Sequence, residues 1–119
     1  MLGGEIEIMV VGTTLIKRDG NDYYSPSFPR GGLPGTFAVD VTHLAGLSAF
    51  DISVEHRDET DTSFAAAAVS FTTITATGHS EVDVTGLKQI VRFRYTLTGS
   101  NAYDGVHFVM QAPSWRPYA

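Results

Sequence analysis

Apolar and polar residues alternate with a period of two along most of the chain, which is the pattern of half-buried β-strands. Twelve glycines separate stretches that are rich in valine, threonine and aromatic residues. No segment shows the 3.6-residue period of an amphipathic helix. The pattern predicts an all-β fold, an antiparallel β-sandwich that is immunoglobulin-like or jelly-roll-like, with seven to eight short strands.

Two consecutive predicted strands have matching apolar faces, formed by Phe37, Val39 and Val41 and by Phe50, Ile52 and Val54. A hairpin turn at Gly46-Leu47 would place Val41 opposite Ile52 and satisfy both faces with one register. A connection that carries the second strand to the other sheet would keep the same inward faces and break this pairing. The pattern leaves both arrangements open.

A second hairpin is predicted around Leu87 and Lys88. This turn pairs Val84 with Val91 and Val82 with Phe93 on the apolar face. The same register sets Asp83 against Arg92 and Glu81 against Arg94 on the polar face. Burial of the apolar pairs, worth about 1.5–3 kcal/mol for each side chain, decides the register, and the ion pairs agree with it.

The remaining predicted strands are residues 5–11, 13–18, 63–75 and 106–111. The third of these contains four consecutive alanines and requires a bulge, because Phe64 and Phe71 differ in parity. The last one places Val106, Phe108 and Met110 inward.

Two proline-bearing segments are predicted to lie outside the sheets: a Pro/Gly-rich loop at residues 21–35 and an extended tail at residues 111–119. Both carry aromatic residues, and the tail holds the single tryptophan beside an arginine, residue types that are enriched at binding hot spots. The predicted partner-binding residues are Tyr23, Tyr24, Phe28, Leu33, Trp115, Arg116 and Tyr118. An alternative, equally compatible with the sequence, is that Trp115 folds back and plugs the end of the sandwich.

Composition narrows the function classes. The 119 residues suit a single domain, residues 1–119, and 43% of them are hydrophobic, enough for one packed core. The formal net charge is −5, which argues against nucleic acid as a partner. No apolar run approaches the roughly 18 residues that span a bilayer, and no secretory signal is visible, so no membrane association is expected.

No pattern of catalytic or metal-binding residues stands out. The chain has no cysteine, and its four histidines include no His-x-His pair. There is no Gly-x-Ser-x-Gly motif and no phosphate-binding glycine loop. We therefore expect a protein that is not an enzyme and that needs no cofactor or metal.

Four segments resemble small β-sandwich virion structural proteins of tailed bacteriophages. The matching segments are FAVDVTHLAG (37–46), FDISVEHRDE (50–59), FTTITATG (71–78) and LKQIVRFRYTLTG (87–99). The resemblance covers residues 36–108 and is a pattern of strands and turns. It implies a capsid decoration or cement protein that binds the major capsid protein or another virion protein, often as a homo-oligomer, with a trimer favoured. It also implies location in the virion after assembly in the host cytoplasm.

Two further function classes are compatible with the sequence. One is a carbohydrate-binding β-sandwich module, free or virion-borne, for which Tyr23, Tyr24, Tyr103, Trp115 and Tyr118 are candidate platforms. The other is a small enzyme, for which no nucleophile, metal triad or cofactor fingerprint is apparent.

Overall fold

The computed structural model describes residues 12–17, 22–32, 34–100 and 104–115. They form ten strands, β1 Gly12–Ile16, β2 Tyr23–Tyr24, β3 Phe28–Pro29, β4 Gly35–Ala45, β5 Ala49–Arg57, β6 Ala65–Ala66, β7 Gly78–Val84, β8 Ile90–Thr98, β9 Gly105–Met110 and β10 Ser114–Trp115. Two antiparallel sheets pack together as a β-sandwich, which confirms the predicted fold class. The described residues contain no helix that could span a membrane.

Each sheet has a long central pair of strands. In sheet A, β4 lies between β7 on one side and β9 followed by β10 on the other, and β1 pairs with the outer edge of β9. In sheet B, β8 lies between β5 on one side and β2 followed by β3 on the other, and β6 pairs with β5. Strands β1 and β2 are therefore edge strands of opposite sheets.

The core contains the apolar faces that the alternation predicted. Val39, Val54 and Phe93 are fully buried, and the inward positions of β4, β5, β8 and β9 alternate with exposed or half-buried ones. Val106, Phe108 and Met110 face inward as predicted. Burial of one face of each strand thus explains why these residues form strands at all.

Of the two arrangements left open for the strands at 37–43 and 50–56, the structure has the crossing between sheets, and the predicted hairpin pairing around Leu87 and Lys88 is wrong. Strand β4 pairs with β7 and β9, and β5 pairs with β8, so the short turn at 46–48 crosses from sheet A to sheet B. The segment 85–89 crosses in the same way between β7 and β8. The alternation of apolar and polar residues shows which face of a strand points inward, but it does not show which other strand is its hydrogen-bonded neighbour. A glycine with positive φ allows each crossing, Gly46 at 77° and Gly86 at 69°.

The predicted ion pairs change with the pairing. Arg92 contacts Glu55 on the neighbouring strand β5, with 2.8 Å between Nε and Oε1, and Arg94 contacts Asp22. Asp83 accepts a hydrogen bond from Thr36, and Glu81 contacts His79. The predicted pairs Asp83–Arg92 and Glu81–Arg94 are wrong because β7 and β8 belong to different sheets.

Three other segments differ in detail from their predictions. The loop 21–35 contains β2 and β3, both paired to the edge of β8, so it is more regular than its proline and glycine content indicated. In the predicted strand 63–75 only Ala65–Ala66 forms a strand, after which single backbone contacts follow β5 to Ile74. Phe64 lies on the outer face of sheet B and Phe71 is buried, and because no continuous strand joins them, the bulge predicted between them does not form. The predicted strand 5–11 lies outside the described residues.

The tail folds back on its own domain. Strand β10 pairs with Gly35 and Thr36, and the Trp115 ring lies 5.6 Å from the ring of Phe37 and 6.4 Å from that of Phe28. A Cβ atom at Gly35 would stand 2.6 Å from Trp115 Cζ3, and one at Gly31 would also collide with the indole ring. The two glycines make room for the ring, so Trp115 closes this end of the sandwich.

Candidate functional site

An apolar pocket of about 230 Å³ opens at the side of the sandwich between edge strands β1 and β2. We call it the edge pocket. It is lined by Thr13, Leu15, Tyr23, Tyr24, Ser25, Pro26, Tyr95 and Met110. Its position follows from the fold, because β1 and β2 belong to different sheets and no backbone pairing closes the gap between them.

Hydrogen bonds fix the walls of the edge pocket. The Tyr23 hydroxyl donates to the carbonyl oxygen of Ile16 over 2.6 Å and so ties β2 to β1. Ser25 exchanges two bonds with Phe93: its backbone N–H donates to the Phe93 carbonyl, and its Oγ accepts from the Phe93 N–H over 2.8 Å. The wall on the β2 side is therefore held in place by β8.

Tyr95 and Met110 form the buried part of the pocket wall, and Tyr95 is its titratable group. The Tyr95 side chain is 6% exposed, and burial raises the pKa of its phenol well above the usual value, although a hydrogen bond with Ser25 opposes the shift. The phenol consequently stays neutral in the working pH range. The pocket thus offers an uncharged surface to which three tyrosines contribute.

One half-exposed aromatic residue belongs to the edge pocket. Tyr24, which lines the pocket, is 50% exposed. The other large exposed hydrophobic residues in the described part of the chain are Ile16, at 47%, and Val69, at 42%, and neither lines the pocket. Ile16 accepts the Tyr23 hydrogen bond through its backbone carbonyl only. Tyr24 and the pocket together form an apolar area that faces solvent, a common property of contact surfaces.

A stack of arginine and aromatic side chains continues from Tyr24 across the outer face of sheet B. The guanidinium carbon of Arg92 lies 4.2 Å from the centre of the Tyr24 ring and 4.0 Å from the centre of the Phe64 ring. Arg57 lies 5.3 Å from the Phe64 ring centre. These contacts stabilise both rings on the sheet and fix the orientation of Arg92.

On the outer face of sheet A, His79 is held between two carboxylates. Its Nδ1 lies 2.6 Å from Asp40 Oδ1, and its Nε2 lies 2.7 Å from Glu81 Oε2. Gln111 Nε2 donates to the other oxygen of Asp40. Hydrogen bonds to Glu81 and to Asp40 raise the pKa of His79 above its ordinary value, because only the doubly protonated ring donates to both.

We predict that the histidines His79 and His56 titrate on opposite sides of the ordinary pKa of 6.5. The pKa of His56 is lowered, mainly by burial and then by Lys88. Because the pKa of His79 is raised on folding, its contribution to stability is fully present below pH 6.5 and is lost as the pH rises through the folded-state pKa. A ring-proton NMR titration measures both, and Glu81→Gln should lower the pKa of His79 alone. A His79 pKa at or below that of His56 would contradict this geometry.

The structure also places the other histidines. His43 lies opposite His107 across β4 and β9, and His107 Nδ1 is 2.7 Å from Thr14 Oγ1. No group of three or more histidine, aspartate or glutamate side chains in the described ranges has a geometry suited to a metal ion.

The predicted partner-binding residues fall into three groups. Tyr23 and Tyr24 lie at the edge pocket. Phe28, at 6% exposure, belongs to the core, and Trp115 packs against that core, so neither presents a free ring at the surface. Leu33, Arg116 and Tyr118 lie outside the described residues. The structure thus brings together only the two tyrosines, and the binding role itself stays a prediction.

Sequence reasoning missed Tyr95, Phe64 and Arg92. Tyr95 was placed on an apolar face without a link to Tyr23, although the two are direct partners across β8 and β2. Arg92 was assigned to an ion pair with the wrong strand. Tyr23 and Tyr24 in the loop 21–35 could have pointed to Tyr95 and Arg92, because two tyrosine rings in a loop need a neighbouring strand to pack against.

The fold and site define an antiparallel β-sandwich with an apolar pocket at one open edge. Comparisons with protein-family models, with curated proteins and with solved structures gave no match.

Proposed function

We propose that this chain is a non-enzymatic virion structural protein, a capsid decoration or cement protein that binds the major capsid protein and stabilises the shell. The resemblance of residues 36–108 to small virion sandwiches supports the virion setting. In this proposal the chain acts as a homo-oligomer, with a trimer favoured, and is assembled onto the particle in the host cytoplasm.

The observation that carries a contact function is the apolar area around the edge pocket. Tyr24 is half-exposed and lines a cavity of about 230 Å³, while the predicted alternative sites at Phe28 and Trp115 are turned inward. Half-exposed aromatic residues next to a pocket are typical anchors of protein interfaces. An apolar side chain of the partner would fill the pocket and bury the Tyr24 ring.

Because many copies bind to one particle, each interface can be weak and the shell is still stabilised. A single interface of this kind buries little surface compared with a stable complex of two proteins. A particle presents repeated sites, and a second contact within an oligomer forms at high effective concentration. Stabilisation of the shell then arises from the number of contacts rather than from the strength of each.

We predict that Tyr24→Ala lowers affinity for particles of the encoding virus by about 5- to 30-fold, the effect of losing 1–2 kcal/mol at a hot spot. Ile16→Ser and Val69→Ser are the matched controls, because both side chains are similarly exposed and neither lines the pocket. Co-sedimentation with particles stripped of this chain measures all three.

Three outcomes decide the proposal. Loss of binding in Tyr24→Ala with full binding of Ile16→Ser and Val69→Ser supports it. Equal binding of all variants contradicts the site, and absence of binding by the unaltered chain contradicts the function.

Carbohydrate binding is the second candidate function, and the three tyrosines at the edge pocket favour it. The Tyr24 ring is held by Arg92 and half-exposed, which suits it to stack on a sugar ring. Selective binding to a glycan array that is lost in Tyr24→Ala, without particle binding, would replace the leading proposal.

A further inference from the structure

Arg92 is held more rigidly than an ordinary surface arginine. Its guanidinium lies between the rings of Tyr24 and Phe64, at 4.2 and 4.0 Å from their centres, and its side chain is 27% exposed. Glu55 Oε1 accepts a hydrogen bond from Nε over 2.8 Å. The flexible side chain has therefore already lost most of its conformational freedom before any ligand arrives.

The terminal nitrogens of Arg92 have no such partner. The hydrogen bond from its guanidinium uses Nε, and neither Nη group bonds to another residue in the described part of the chain. Arg94, two positions along the same face, differs in this respect, because its Nε and Nη2 both contact Asp22. Arg92 therefore keeps both of its Nη groups available as hydrogen-bond donors, whereas Arg94 does not.

A fixed guanidinium with two free Nη groups is a receptor for a carboxylate, which its planar fork matches in geometry. Glu55 and Asp22 already balance the charges of Arg92 and Arg94 on this face. The attraction for a single added carboxylate is consequently weak, and a carboxylate alone should bind with a Kd of about tens of millimolar.

We propose that Arg92 is a carboxylate-binding subsite that receives an aspartate or glutamate side chain of the partner protein. This inference rests on the proposed function, because the partner supplies the carboxylate. Tyr24 connects the subsite to the edge pocket, since one face of its ring meets Arg92 and the residue also lines the pocket. The preferred partner segment therefore presents an acidic and an apolar side chain close together.

The test is an NMR titration of the free, full-length chain with sodium acetate at neutral pH, against sodium chloride at the same ionic strength. The reporters are the Arg92 Nε–Hε signal and the Tyr24 ring protons. We expect a saturable shift with acetate that chloride does not produce. Arg92→Lys, which keeps the charge and removes the fork, should weaken the acetate response of Tyr24 at least fivefold.

Arg94→Lys is the matched control and should keep the acetate response, because Arg94 is occupied by Asp22. Equal responses to acetate and chloride, or an unchanged response in Arg92→Lys, would overturn the subsite. Loss of the response in Arg94→Lys alone would also overturn it. In the unaltered chain the Arg92 Nε–Hε signal reports acetate binding directly. The subsite can therefore be tested even if a variant does not fold.

The two proposals fail separately. A chain that binds particles without a specific acetate response refutes the subsite and leaves the function. A chain that responds to acetate without binding particles refutes the function and the partner that it names. A response to uronate sugars but not to acetate refutes the subsite as a site for protein carboxylates.

Discussion

Replacing Phe37 by alanine should lower the free energy of unfolding by about 3–5 kcal/mol. The side chain is 1% exposed, and its ring meets those of Phe93 at 5.2 Å, Trp115 at 5.6 Å and Phe28 at 6.2 Å. Alanine would leave a cavity among three aromatic rings that belong to both sheets and to the tail. Because domains of this size are stable by about 5–15 kcal/mol, the variant loses a large part of its total stability.

Urea unfolding followed by circular dichroism measures this loss. Phe64→Ala is the control, because Phe64 lies on the outer face of sheet B and touches arginine rather than core side chains. It should cost about 1 kcal/mol, the scale of an exposed cation–π contact. Comparable losses in the two variants would show that the ring cluster around Phe37 does not hold the sheets together.

Replacing Gly35 by alanine should displace Trp115 and cost about 1–3 kcal/mol, as overpacking of a filled site does. The new Cβ would stand 2.6 Å from Trp115 Cζ3 and 3.4 Å from Phe37 Cζ. Either the indole ring leaves its place or β10 separates from β4. Since Trp115 is the single tryptophan, its fluorescence emission should shift to longer wavelength as the ring enters water.

A double-mutant cycle separates this explanation from a general intolerance of Gly35→Ala. In a Trp115→Ala background the space under the ring is vacant, so Gly35→Ala should then cost much less than in the original chain. Additive costs would mean that the glycine is required for a reason other than Trp115. The same cycle tests the predicted alternative in which the tail closes its own sandwich.

Alternation revealed the interior of this protein more reliably than its strand pairing. Val39 and Val54 were placed inward because a strand with one apolar face has only one low-energy orientation. Their partners stayed open because the hairpin and the crossing between sheets bury the same faces. The choice between them depends on the whole packed structure, including β8 and β9, which come much later in the chain.

The candidate site was predicted only in part for a related reason. The exposed position of Tyr24 agrees with its polar, proline-rich surroundings, but Phe28, four residues further along the same loop, is in the core. Phe28 pairs with Val91 on β8, a contact 63 positions away that no local pattern encodes. Arg92 acquires its role from Tyr24 and Phe64, which reach it from two other segments.

Both crossings between the sheets have a consequence for how the chain folds. The middle strands β8 and β9 are the last long ones to be synthesised, and each must insert between strands that are made far earlier. A nascent chain that ends at Val84 contains β4 and β7 as partners but has nothing to join β5 to β2. Folding should therefore wait for nearly complete translation and be slow, as is usual when distant segments must meet.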